Sequence, residues 1–340
     1  MLGTLLVVAS SAAARPAVGA TMAGGSTATA TARARFAAPL MSDAADVTIM
    51  MNGMPGAMGL EIAAACLRRP GVALAPYGLT GSGPRREVTV DDGRGGPSTT
   101  VTLYPFDEKD ELAALAKERW PTPGSLVCID FTHPSAVNVN AEWYAEAGLP
   151  FVMGTTGGDR DALLATTTSA GVYAVIAPNM AKQIVALQAA LEHMAAEYPG
   201  AFGGYSLSVV ETHQASKADT SGTAKAVSAS LATLTGEDGF TNDDIVRVRD
   251  PAEQVAGGGV SHRGCSPVPE SALSGHAFHT YSLLSEDGNV EFQFRHNVVG
   301  RSTYAEGTVD AALFLASRAR TGAEQRVFDM VDVLKAGELA

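Results

Sequence analysis

The chain is poor in the residues that secreted, membrane-spanning and nucleic-acid-binding proteins rely on. Cysteine is scarce: Cys66, Cys128 and Cys265 are the three in 340 residues, odd in number and far apart. That excludes a disulfide framework and a thiolate metal centre, fits a reducing compartment, and leaves the thiols as packing groups; no metal is expected. No run of about 18 apolar residues occurs, because Leu2–Ala14 is broken by Gly3, Thr4, Ser10 and Ser11, so no membrane span is expected. Positive charge is short as well. With 24 Lys and Arg against 36 Asp and Glu, the net charge of -12 repels polyanions, and no basic patch offsets it, which excludes a nucleic-acid role. No acidic residue precedes Asp43, while Arg15, Arg33 and Arg35 stand among Ala, Ser, Thr and Gly. Residues 1–45 therefore read as a transit peptide addressed to the chloroplast or plastid stroma. The run "LLVVASSAAA" has the apolar core of a secretory signal, but no charged n-region precedes it.

What is present is apolar bulk in an alternating order. At 46% hydrophobic side chains the chain can bury a large core, and its length fits two domains. Val47–Met51 reads as a short strand, and after it Met58, Ile62, Ala65 and Cys66 recur on one helix face. Val72–Leu79, Leu126–Phe131, the run from Pro150 to Thr155 and Val172–Pro178 read as further strands, with helices over Ala136–Ala147 and Asp159–Ala170 between the later ones. This alternation predicts an α/β fold, a Rossmann-like doubly wound parallel sheet. Residues 86–103 read instead as a polar hairpin or surface excursion. After Asn179 the texture changes to a helix over Gln183–Tyr198, an alternating strand Tyr205–His213, a loop, another helix, and the strand-like runs His276–Leu284 and Asn289–Val299. An α+β domain with a mixed sheet over 181–301 is the expectation. Thr303–Arg320 and Phe328–Leu334 are helical in period and suited to packing back on the first sheet, giving a dinucleotide-binding domain of 46–180 with 302–340.

"IMMNGMPGAMG" places Gly53, Gly56 and Gly59 between a strand and a helix, where absent Cβ atoms allow a tight turn and close approach to a pyrophosphate at the helix N-terminus. Gly53, Met54, Pro55, Gly56, Ala57 and Met58 are thus candidate dinucleotide contacts. The second strand ends in "LTGSGPRR", with the hydroxyls of Thr80 and Ser82, the cations Arg85 and Arg86, and no carboxylate to compete; a 2′-phosphate, hence NADPH, is favoured, with NADH as the alternative. Other strand ends face the same edge: Phe131 and Thr132; Gly154, Thr155 and Thr156; Ala177, Pro178, Asn179 and Met180. His133 reads as a surface or capping residue.

The stretch "VVETHQASKADTSGTAKAV" puts His213 at a strand end, Lys217 in the loop beyond, and Ser221-Gly222-Thr223 at the start of a helix carrying Val227, Leu231 and Leu234 on one face. The first amides of that helix can receive an anion, Lys217 adds a point charge, and a substrate carboxylate is the simplest occupant. His213 is then the group suited to passing a proton.

Together with "NGMPGAMG", "IDFTHP", "FVMGTTGGDR" and "HNVVGRSTYAEGTVDAALFL…FDMVDVL", that stretch resembles the dihydrodipicolinate reductase family in its plant and algal form, from about Val47 to Leu334. The resemblance implies reduction of 4-hydroxy-tetrahydrodipicolinate to tetrahydrodipicolinate, in the diaminopimelate route to lysine, with hydride delivered to ring carbon four. It makes His213 the acid that protonates the ring and Lys217 its assistant and carboxylate holder, with Ser221, Gly222 and Thr223 on the other end of the dicarboxylate and Thr156 beside it. The bacterial form carries a second histidine and a proline where Gln214 and Thr220 stand here; an amide at 214 can still donate to a carboxylate. The resemblance also implies a homo-oligomer, dimer or tetramer, assembled through the second domain's sheet, and the layout suggests closure about hinges near Asn179 and Arg301. Another Rossmann-type dehydrogenase of amino-acid pathways, such as a diaminopimelate or homoserine dehydrogenase, or a non-catalytic NADPH sensor, would share the glycine turn. Neither is expected to carry His213, Lys217 and the Ser-Gly-Thr helix start together.

Overall fold

Six consecutive residues buried on both faces belong in the middle of a sheet with cover on either side, and Val47–Asn52 (β1) is such a strand. In the computed structural model, which describes residues 46–96, 98–236, 239–258 and 265–337, the chain continues through Ala57–Arg68 (α1) to Val72–Leu74 (β2) beside β1. The leader expected over 1–45 lies outside the described residues. Next come Tyr77–Leu79 (β3), Arg86–Asp91 (β4), Ser98–Tyr104 (β5) and Lys109–Arg119 (α2). Leu126–Asp130 (β6) then pairs on the other flank of β1, followed by Val137–Ala147 (α3), Phe151–Met153 (β7), Arg160–Ala170 (α4) and Ala174–Ile176 (β8). Asp159 caps α4 by accepting from the Ala162 amide at 3.0 Å.

The second part holds Lys182–Glu197 (α5), Tyr205–His213 (β9), Gly222–Thr235 (α6), Val246–Val248 (β10), Pro251–Val255 (α7), His276–Ser285 (β11) and Glu291–Val299 (β12). Ser302–Thr321 (α8), Val327–Phe328 (β13) and Met330–Ala336 (α9) return to the first sheet. That sheet has the parallel order β13-β8-β7-β6-β1-β2. On one side Ile49 and Met51 pack with Ile62 and Cys66 of α1 and Val309 and Leu315 of α8. On the other, Met50 and Cys128 pack with Leu112 of α2 and Val137 and Trp143 of α3. The sheet is therefore doubly wound, as expected. Burial pushes the Cys66 thiol up to about 12 and raises Cys128 further still, so both act as packing groups.

The second sheet, β10-β9-β11-β12, is mixed: β10 runs parallel to β9, and β11 is antiparallel to both β9 and β12. Its apolar end, Val209, Tyr281 and Leu283, packs with Leu191 of α5 and Val227, Leu231 and Leu234 of α6.

The structure differs from the sequence expectation in four places, one of them the eleven-residue helix α2, over which no helix was expected. Val72–Leu79 is two strands, because Pro76 has no N–H to continue a ladder: β2 stays with β1, while β3 pairs with β5 in a separate sheet of order β3-β5-β4. Residues 86–103 do form a hairpin, and its inner face is buried through Val90, Val101 and Leu103, so it belongs to the first core. β13, β10 and α7 went unread because elements of two, three and five residues are too short to show a period.

Candidate active site

The carboxyl ends of β1, β6, β7 and β8 stand side by side, and the chain crosses from one flank of β1 to the other between β2 and β6. Such a switch point opens a crevice. Gly53 sits there with φ of +106°, and a Cβ on it would run into the Phe131 carbonyl; one on Gly56 would meet the Gly53 carbonyl at 2.8 Å. Gly56 is also the N-cap of α1 and supplies no side-chain cap, so the first amides of a 12-residue helix face the crevice without a protein acceptor of that kind. This cradle fits a pyrophosphate. The Phe131 ring lies where a Cβ of Gly154 would go, which ties the β6 and β7 ends together.

Beneath the crevice runs a buried polar network that sequence reading missed. Asp130, wholly buried, accepts from the Thr132 hydroxyl at 2.7 Å, the Thr155 hydroxyl at 2.8 Å, Asn140 Nδ2 at 2.8 Å and the Tyr144 hydroxyl at 2.8 Å. Asn52 Nδ2 in turn donates to the Tyr144 oxygen at 2.8 Å, while Asn52 Oδ1 accepts the Leu79 amide at 2.7 Å. The hydroxyls of Thr132 and Thr155 thus point inward and brace the strand ends. The amides of Gly154 and Thr155 also bond inward, to the Asp130 carbonyl, leaving the exposed Thr156 as the outward hydroxyl of that turn.

Arg85 corrects an expectation. Two carboxylates do compete for it, Glu108 and Glu111 near the start of α2, and its guanidinium lies 4.1 Å from the centre of the Tyr104 ring. Arg86 is held closer to the glycine turn, donating to Thr80 Oγ1 at 3.2 Å, and Thr80 donates to the Met54 carbonyl at 3.0 Å. His133 is a cap, accepting the Ser135 amide at 3.2 Å.

On the second domain, β9 and β11 bring four groups together that lie far apart in sequence. The register sets His279 opposite Glu211, and His213 follows two residues on along the same face. His213 is 8% exposed, and its Nε2 lies 3.0 Å from Nε2 of His279; His279 Nδ1 meets the Tyr281 hydroxyl at 2.9 Å. Glu211 accepts Arg249 on Oε1 and the Ser221 amide on Oε2 at 3.0 Å, with Oε2 3.8 Å from His213 Nε2 and 4.0 Å from His279 Nε2. One ligand atom from each of Glu211, His213 and His279 lies within 4.8 Å of the others, but both carboxylate oxygens are already taken, one by a guanidinium that would repel a cation. Burial first, then Arg249, Lys217 and His276, depress the His213 imidazole to about 3; a hydrogen bond with the His276 backbone pulls the other way.

Lys217 bonds Asp219 at 2.7 Å, which holds that carboxyl below its usual range. Its loop is strapped from the β10 side. Arg249 donates to the carbonyls of Lys217 at 2.8 Å and Asp219 at 3.2 Å, and Arg247 to that of Ala218 at 3.2 Å. The α6 start is as expected: Lys225 N to Ser221 O is the first intrahelical bond, so the amides of Gly222, Thr223 and Ala224 have no intrahelical acceptor. A Cβ on Gly222 would meet nothing within 4 Å. Across from it Asn179, just past β8, donates to Thr223 Oγ1 at 3.1 Å. The end of β8 and the start of α6 therefore meet at one seam.

A doubly wound sheet with a pyrophosphate cradle, abutting a second domain that offers a histidine, a lysine and open helix amides, defines a two-domain nucleotide-dependent oxidoreductase. The family model for the dihydrodipicolinate reductase N-terminus matches residues 47–180, and that for its C-terminus residues 184–334. The chain is 47% identical over 296 residues to 4-hydroxy-tetrahydrodipicolinate reductase 1, chloroplastic, of Arabidopsis thaliana, spanning 86% of this chain and 79% of that protein. It is 45% identical to a probable chloroplastic counterpart from Oryza sativa subsp. japonica, over 86% and 79% of the two chains. The dipicolinate-bound dihydrodipicolinate reductase of Paenisporosarcina sp. TG-14 shares the fold, with a TM-score of 0.54 at 18% identity over 83% of this chain and 97% of that one. The chain belongs to the dihydrodipicolinate reductase family.

Proposed function

We propose that the chain reduces 4-hydroxy-tetrahydrodipicolinate to tetrahydrodipicolinate, using NADPH, in a plastid. The observation that carries this reading is the seam: the Asn179–Thr223 bond of 3.1 Å joins the nucleotide sheet to the helix start that offers free amides. The cofactor, when bound, supplies the hydride. Gly53, Met54, Pro55, Gly56, Ala57 and Met58 would hold its pyrophosphate, and Phe131, Gly154, Thr156 and Ala177 to Met180 its nicotinamide half; Thr132 and Thr155, whose amides and hydroxyls bond inward, would brace that edge. Arg86 is the cation placed for a 2′-phosphate, since Arg85 is engaged by Glu108 and Glu111.

One substrate carboxylate sits on the amides of Gly222 and Thr223; Ser221, expected to join them, gives its amide to Glu211 instead and only opens the helix. The other carboxylate meets Lys217, drawn from Asp219, with Gln214 and Thr156 alongside. His213 gives the ring its proton. We assign 46–180 with 302–340 to the nucleotide and 181–301 to the substrate and to self-association. The outer strand β12 supports the latter, with Phe292 at 45% and Val299 at 55% exposed.

Coupled oxidation of NADPH on addition of freshly generated cyclic intermediate tests the reading. Turnover that requires both, with NADH less effective, is the expected result; binding of NADPH without turnover would make the chain a sensor instead. A second test probes the helix start. Because a Cβ at Gly222 meets open space, Gly222→Ala should fold normally yet raise the KM for the cyclic substrate about tenfold, by crowding a carboxylate off the amides. An unchanged KM would place the carboxylate elsewhere.

A further inference from the structure

The histidine at the end of β9 does not stand alone. Its Nε2 is met at 3.0 Å by Nε2 of His279, a spacing that admits one hydrogen between the two nitrogens and not two. Which ring owns that hydrogen follows from Tyr281. Its hydroxyl is wholly buried, and among the described residues its hydrogen-bond partner is His279 Nδ1 at 2.9 Å. A buried O–H left without an acceptor is costly, so the hydroxyl donates and His279 Nδ1 presents its lone pair. The hydrogen of neutral His279 is then on Nε2, directed at His213. His213 accepts it with its own Nε2 lone pair and keeps its hydrogen on Nδ1.

We propose that His279, aligned by Tyr281, is a positioning residue for His213: it fixes the ring and the site of its hydrogen, and holds it neutral until an anion enters the seam. The inference rests on the reading of His213 as the acid of the proposed reaction.

A donor aimed at the lone pair of neutral His213 opposes protonation there, since a second hydrogen would have to fit into the same gap. The surrounding groups act in the same sense. Arg249 and Lys217 bring positive charge, and His276 and His279 on β11 and His296 on β12 are themselves pushed down chiefly by burial, His296 to about 4. The nearest counterweight is Glu211 on β9, whose carboxylate is shared with Arg249 and the Ser221 amide. A dianionic ring on Lys217 and the α6 amides changes that balance, and the extra proton, drawn from bulk water, becomes stable on the pair. His279 then turns its Nε2 lone pair toward the cationic His213 and its Nδ1 hydrogen toward the Tyr281 oxygen. The acid is charged only when there is something to protonate.

Histidine tautomers and titration midpoints, read by NMR on the ¹⁵N-histidine-labelled full chain, test this without turnover. In the free chain at pH 7 we expect His213 neutral with its hydrogen on Nδ1 and His279 neutral with its hydrogen on Nε2. Adding NADP⁺ and pyridine-2,6-dicarboxylate should raise the His213 midpoint by about three units or more, toward neutrality. Tyr281→Phe removes the hydroxyl that holds His279 as a donor. It should raise the ligand-free His213 midpoint by about one unit and carry the basic limb of kcat upward by a similar amount, with the KM for NADPH within about twofold. The proposal is overturned by the opposite tautomers or a cationic His213 in the free parent chain, or by a Tyr281→Phe midpoint that does not move. If the tautomers are as stated but no turnover with the cyclic intermediate is found, the proposed reaction fails while the pairing stands.

Discussion

His213→Gln is expected to lower kcat by roughly 10²-fold or more, the loss typical of removing an acid catalyst, while NADPH affinity stays nearly unchanged. The separation has a structural basis. His213 lies at the end of β9 in the second sheet, whereas the glycine turn proposed for the pyrophosphate is made by Gly53 and Gly56 at the end of β1, so the substitution leaves that turn untouched. Glutamine also suits the buried end of the sheet. Its carbonyl oxygen can accept from His279 Nε2, so the Tyr281–His279 chain keeps a terminus and no polar atom is orphaned by the change. What disappears is the side chain that would carry the transferred proton once the dianionic ring is bound. Single-turnover measurements at saturating NADPH would isolate that step, and a variant that turns over at the parent rate would remove His213 from the chemistry.

Much of this site was legible from the chain, and the parts that were not share a cause. The glycine turn, His213 and Ser221–Thr223 could be read because each is a local signal: a strand, then residues of the required type, then a helix. Glu211, His279 and Arg249 could not, because their meeting depends on register. Glu211 stands two residues before His213 and so shares its face, a hint available from strand alternation alone. Only the pairing of β9 with β11 sets His279 opposite it, and only a three-residue strand, β10, delivers Arg249. Side-chain direction was equally invisible. Thr155 has a hydroxyl at a strand end, as a nucleotide contact would, yet that hydroxyl faces the buried Asp130. Arg85 looked unopposed because Glu108 and Glu111 lie more than twenty residues on, where α2 begins.

Arg249→Ala should produce the largest loss of stability of any single change in the site. Glu211 is wholly buried, and its carboxylate has Arg249 as its cation, so truncation leaves an uncompensated charge in the core of the second domain. Removing one partner of such a pair costs about 3–5 kcal/mol, a Tm fall on the order of 10 °C, readable by calorimetry. The same guanidinium also holds the loop between β9 and α6, through the carbonyls of Lys217 and Asp219. Its loss should therefore raise the KM for the dicarboxylate as well, because the loop that carries Lys217 loses its tether. The two effects can be separated. Adding Glu211→Gln to the Arg249→Ala chain removes the stranded charge and should recover most of the stability, but it cannot restore a strap to the loop, so the raised KM should persist. A single Arg249→Ala variant melting within a degree or two of the parent would show that the carboxylate finds solvent or another cation, and that the ion pair does not hold this end of the sheet together.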